Sequence, residues 1–234
     1  MMLSKDDILR GLENLDVKAK AAELLVDLSI YGGAALAIAF DMRLATRDVD
    51  AVVNGSPDFL RKAVAEVAEE QGWPIDWLND GVKGFISENE KMNLMDSFRG
   101  DESCGLRISL PSPEYLFAMK CMAMRPEGIE GSSDISDIIG LAHICSIQTN
   151  EQAFGLVESF YPAKQIPAKV RFGLEEIMEK ISPKASSGMG EPSPATPPSL
   201  GGGVLNKKAV LADSPHPMES SVDVDKSPST RMKP

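Results

Sequence analysis

Hydrophobic and polar positions change period along the first third of the chain, and each change marks an element. Ile8, Leu12, Leu15 and Ala19 recur at three- and four-residue steps, which predicts a helix over 5–24. Ser4 suits its N-cap, with Asp7 three residues on as a short stand-in for a capping-box glutamate. From Leu25 to Tyr31 the pattern becomes an alternation of Val26, Leu28 and Ile30 with Asp27 and Ser29. That is a strand running into Gly32-Gly33. Ala34 to Phe40 is too apolar for a surface helix and is expected to lie buried behind the turn. Asp48 to Val53 predicts a second strand, closed by Asn54-Gly55-Ser56-Pro57. Pro57 then opens a helix to about Gln71, with Leu60, Ala63, Val64 and Val67 on its inner face.

Gly72-Trp73-Pro74 breaks that helix, and 76–85 shows no period, so it reads as irregular. Two further strands are predicted at 94–98 and 106–110, with Gly100-Asp101-Glu102 as the turn between them. Pro113 opens a helix to about Met124, and Ser132 or Ser133 caps another over 134–147. Helices near 150–161 and 167–181 follow. The pattern describes an α/β (α+β) protein with a small mixed sheet flanked by helices in 1–112 and a helical region in 113–182. From 183 to 234 Pro, Ser, Gly and Ala dominate, a composition that buries too little apolar surface to offset its ordering entropy. That stretch is expected to be a disordered tail.

Charge and cysteine content narrow the chemistry. The net charge is −11 over 234 residues. The tail carries six basic residues against five acidic ones, so residues 1–182 hold −12. Such a surface does not grip nucleic acid by charge alone, unless its few basic residues gather in one cleft. Cys104, Cys121 and Cys145 form neither a disulfide framework nor a Cys-x-x-Cys site, which fits a reducing, cytoplasmic setting. No run of about 18 apolar residues is present, so no membrane association is expected. His143 and His216 are the two histidines, too few for a histidine-rich metal site.

The candidate chemistry lies in Ile30-Tyr31-Gly32-Gly33 and Thr46-Arg47-Asp48-Val49-Asp50. Residues two apart on a strand share a face, so Asp48 and Asp50 can converge on one cation. Glycines 32 and 33 allow a sharp turn and a close approach by phosphate, and the helix behind them aims its free N–H groups at that phosphate. The dull alternative is a glycine turn in an ordinary α/β core beside two solvated aspartates.

In order and spacing these residues resemble the minimal signature of the polymerase-β-like nucleotidyltransferase superfamily, and within it the toxins of AbiEii and MenT type. Two further stretches resemble that family. One is the helix carrying Lys120 and Ala123, whose lysine the resemblance places in the active site. On residues alone, Lys120 has Leu116, Phe117, Ala123 and Met124 as helical neighbours, so it is either a cleft cation or a snorkelling lysine. The other stretch is Asp134-Ile135-Ser136-Asp137, where Ser133 replaces the family's arginine. Asp134 is the site candidate, Asp137 a structural partner, and one or both could meet Lys120.

The resemblance implies a nucleotidyltransferase core that moves a nucleoside monophosphate from an NTP to a hydroxyl acceptor, a transfer RNA 3′ end or a protein. It implies Mg²⁺ held by Asp48 and Asp50, phosphates received at Gly32, Gly33, Thr46 and Arg47, and catalysis by Asp48, Asp50, Lys120 and Asp134. Arg43 is an equal candidate to Arg47 for a phosphate contact. A cognate antitoxin is an implied partner. Polymerase-like enzymes also carry a third carboxylate on a later strand. Here 106–110 has no acid, and Asp96 is the one acid on 94–98. That gap and the loss at Ser133 support the alternative, a catalytically weak relative that binds a partner.

Overall fold

A computed structural model describes residues 1–99, 104–125 and 133–181, all within one compact unit, Met1–Gly188. The turn expected at 100–102 and the tail expected at 183–234 lie outside the described residues.

Local signals in the chain explain most of the element ends. Helix α1 (Lys5–Ala21) starts at a true capping box: Asp7 N–H donates to Ser4 Oγ at 3.2 Å, and Ser4 N–H donates to Asp7 Oδ2 at 3.0 Å. Its buried stripe is Ile8, Leu12, Leu15 and Ala19, as the period predicts. Strand β1 (Leu3–Ser4) precedes it and pairs antiparallel with β3 (Ala45–Thr46). Helix α2 (Gly32–Phe40) begins two residues earlier than the apolar run suggested, because both glycines join its first turn. Helices α3 (Pro57–Gln71) and α4 (Pro113–Ala123) each carry proline in the first turn, where its missing N–H has no helical partner to lose.

The sheet is mixed and five-stranded, in the order β5-β4-β2-β7-β6. Its strands are β2 (Leu25–Ile30), β4 (Val49–Asn54), β5 (Leu78–Asn79), β6 (Met92–Arg99) and β7 (Gly105–Pro111). β4 runs antiparallel to β2 with Ile30 opposite Ala51, and β7 runs parallel to β2. The end of β2, the end of β7 and the start of β4 therefore fall at one end of the sheet. Alternation gives the sheet two unlike faces. Val26, Leu28, Ile30, Leu106 and Ile108 are buried, while Asp27 and Arg107 pair on the opposite face.

The segment read as irregular proves to hold β5 and a 3-10 turn over Gly81–Phe85. The cause is tertiary. Trp77 is buried, donates its indole N–H to the Val64 carbonyl at 3.2 Å, and meets Trp73 edge to face. Gly11 of α1 lets both rings in, since a Cβ there would stand 2.8 Å from Trp77 and 2.9 Å from Trp73. Once seated, the Trp77 carbonyl accepts the Val49 N–H at 2.7 Å, and the next two residues pair with β4. Helix α5 (Ser133–Ile144) also stops short of Ile147, with Ser146 at a φ of 56°. α6 (Asn150–Phe160) and α7 (Ala168–Ile181) complete the helical side, packed with α4 and α5. Among the described residues no helix is long and apolar enough to cross a membrane.

Candidate active site

Register brings the glycine turn and the aspartates together. Ile30 pairs with Ala51, and Tyr31 N–H continues the ladder to the Asp50 carbonyl at 2.8 Å, so Asp50 lies across from Tyr31 and its side chain reaches the adjoining Gly32. Gly32 has a φ of +62°, a left-handed conformation that suits glycine. A Cβ on it would stand 2.6 Å from Asp50 Oδ2. Glycine is needed there twice over, by backbone and by space. At Gly33 a Cβ would stand 2.6 Å from the Thr46 hydroxyl oxygen, so Thr46, itself buried, sits directly over the turn. Tyr31 makes no side-chain cap to the first N–H groups of α2.

The helical wall approaches from α4 and α5. Lys120 is 12% exposed, and its Nζ lies 2.8 Å from Asp137 Oδ2 and 3.5 Å from Asp134 Oδ1. Asp137 is the hub of this side. It is 5% exposed and also takes two hydrogen bonds from Arg43, at 2.9 Å from Nε and 2.6 Å from Nη2. Those bonds hold the Arg43 guanidinium above its ordinary pKa. Lys120 thus meets both acids, and Arg43, offered above as a phosphate contact, is committed to Asp137.

Two clefts share the floor formed by Asp50, Lys120, Arg125 and Asp134. The smaller, about 250 Å³, adds Gly32 and Gly81 with apolar walls from Val82, Phe85, Leu116 and Met119. The larger, about 660 Å³, adds Gly33, Arg43, Thr46, Arg47 and Asp48. Gly32, Gly33, Thr46, Arg47, Asp48, Asp50, Lys120 and Asp134, the eight residues that the resemblance placed in the site, therefore line one or both clefts. Arg125 joins them. A strap holds the Phe85 wall: the Tyr161 hydroxyl donates to the Phe85 carbonyl, and Ser87 N–H donates to the Tyr115 hydroxyl at 2.9 Å.

Burial, and next the negative charge of Asp48, raise the Asp50 carboxyl above its ordinary range, while Lys120 pulls it down. Two acids in mutual repulsion, both half-buried, form a donor set that a hard cation relieves. Among the described residues no group of three or more His, Cys, Asp or Glu side chains could hold a metal. Two carboxylates fit Mg²⁺ all the same, since that ion is commonly held by one or two carboxylates together with substrate phosphates.

Sequence reasoning missed Asn79 and Gly81. Asn79 pairs in register with Asp50, and its Nδ2 donates to Asp48 Oδ2 at 3.1 Å. Trp77 between a proline and Asn-Asp-Gly was the available signal, a bulky apolar anchor followed by a turn. No protein-family model, curated protein or solved structure matches the chain.

Proposed function

We propose that the protein is a divalent-cation-dependent nucleotidyltransferase that transfers a nucleoside monophosphate from an NTP to a hydroxyl acceptor. The observation that carries this reading is the convergence at one point of Asp50, the Gly32 turn and Lys120 from a distant helix. The acceptor oxygen bonds to the α-phosphorus as the bond to the β-phosphate oxygen breaks, and pyrophosphate leaves. Asp48 and Asp50 would hold Mg²⁺, which supplies Lewis-acid polarisation of the phosphate oxygens. Gly32 and Gly33 admit the phosphates against the start of α2, and Thr46 adds a hydroxyl beside them. Lys120 offsets the charge that grows on the transferring group. Asp134, which lines both clefts, takes the proton from the acceptor hydroxyl. The apolar smaller cleft suits the nucleoside, and the larger cleft, with Arg47 and Arg125 on its wall, suits the acceptor.

A transfer RNA 3′ end or a protein is the acceptor that the family resemblance implies, and an antitoxin the partner. That no three acids among the described residues group closely enough to hold a metal favours a second reading, a binder with little activity. Incubation with each labelled NTP, Mg²⁺ and total cell RNA or lysate separates the two. Label on a macromolecule, lost in Asp50→Asn, supports the enzyme. No label, and no NTP-dependent rise in melting temperature, supports the binder.

A further inference from the structure

Asn79 is held at both ends of its amide, and the two ends differ chemically. Its Oδ1 accepts the Gly81 N–H at 2.9 Å. That donor needs an acceptor, so Nδ2 is the end turned to Asp48 Oδ2, at 3.1 Å. The carboxylate needs a donor, and the orientation satisfies both. Packing leaves little room for another arrangement: a Cβ on Gly81 would stand 3.0 Å from Asn79 Oδ1 and 3.5 Å from Asp50 Oδ1. The strand that carries it is tied to β4 by the Trp77 carbonyl, which takes the Val49 N–H one residue before Asp50. Asn79 therefore bonds to Asp48, pairs in register with Asp50 and adds no charge to either.

We infer that Asn79 is a positioning residue for the cation site: its amide N–H fixes the Asp48 carboxylate, and its neutrality keeps the site at two acids. This rests on the cation-dependent reading above. A group that orients a metal-binding carboxylate changes metal affinity by roughly 10–100-fold when removed. A group that merely forms a turn with Gly81 does not.

Asn79→Asp separates the two roles. An aspartate still accepts the Gly81 N–H, so the turn survives. Its other oxygen faces Asp48 Oδ2 in place of a donor, two like charges that only a cation reconciles. Asn79→Ala removes both bonds. The test uses the full chain without nucleotide, with Mn²⁺ binding followed by the electron paramagnetic resonance signal of the free ion and melting followed with and without Mn²⁺.

Wild type is expected to bind Mn²⁺, and Asn79→Ala to bind it roughly 10–100-fold more weakly. Asn79→Asp is expected to melt lower than wild type without the ion and to gain more from adding it. Wild-type affinity in Asn79→Ala, or an Asn79→Asp melting response identical to wild type, overturns the inference and leaves the proposed function standing. No Mn²⁺ binding by wild type without nucleotide overturns the inference alone, since substrate phosphates can complete the ion's shell, and NTP labelling then decides the proposed function.

Discussion

On the sheet side of the site, Gly32, Asp50 and Asn79 are fixed by strand register and by the lack of room for a Cβ, and Asp48, just before β4, is held by the Asn79 amide. On the helix side, Lys120 and Asp134 of α4 and α5 are fixed through charge, with Asp137 joining Lys120 to Arg43. Backbone geometry tolerates no change in shape but is indifferent to salt. A buried charge hub tolerates shape changes and fails when one member is removed. The site therefore has one wall that specifies position and one that supplies cations, and each should break in its own way.

The largest effect is expected at the hub. Asp137→Ala leaves Arg43, 19% exposed, and Lys120, 12% exposed, without their shared carboxylate. Stripping one partner from a buried ionic group costs about 3–5 kcal/mol. Urea unfolding should show that loss, with α4 and α5 parting first. A loss below about 1 kcal/mol, the range of exposed pairs, would mean charge does not hold this wall.

Next comes Gly32→Ala. It places a Cβ-bearing residue at a φ of +62° and pushes Asp50 Oδ2 away from a point 2.6 Å off. Strain of this kind costs about 1–3 kcal/mol. The sharper readout is function: NTP-dependent thermal stabilisation in Mg²⁺ should vanish while the unfolding loss stays smaller than that of Asp137→Ala. If Asp137→Ala and Gly32→Ala lost equal stability and equal ligand response, the two walls would not be distinct.

That contrast also explains what the sequence could disclose. Gly32, Gly33, Asp48 and Asp50 were legible because strand, turn, helix and strand follow one another locally, and a period of two puts both acids on one face. The same locality made α1 and its Ser4–Asp7 cap readable. β5 was not legible, since two residues carry no period and their pairing depends on Trp77 seating against Gly11 of α1. Asn79 was hidden with it. The Arg43–Asp137 bond joins residues 94 apart in the chain, and nothing local marks either as the other's partner. Lys120 sat between: its apolar helical neighbours announced an unusual lysine and left two readings of it open, while Asp137, the acid 2.8 Å from it, was one of two that could meet it.

Lys120→Met separates charge as scaffold from charge as chemistry. Asp137 keeps both hydrogen bonds from Arg43 in this variant, so the hub loses one cation and no acid. Melting should move much less than in Asp137→Ala. Transfer activity, by contrast, should fall roughly 10²–10³-fold, the scale set by removing one preorganised electrostatic group. Intact activity in a stable Lys120→Met protein would return Lys120 to a structural role.

The smallest effect is read at the thiols, and it reports which wall opens. Cys121 follows Lys120 on α4, is fully buried, and has its thiol raised by that burial. Burial likewise pushes the Cys145 thiol, half-buried just past α5, up to about 11. The thiolate is the reactive form, so both should label slowly at pH 8 in the native protein. Labelling of Cys121 then requires local opening of α4. Asp137→Ala should speed it, because the ionic link from α4 to α5 is gone, whereas Gly32→Ala should leave it near the wild-type rate. Equal acceleration in both variants would mean the sheet end and the helical wall open as one unit, and the division drawn between them would fail. Peptide mapping after a timed exposure to a thiol reagent measures each rate separately.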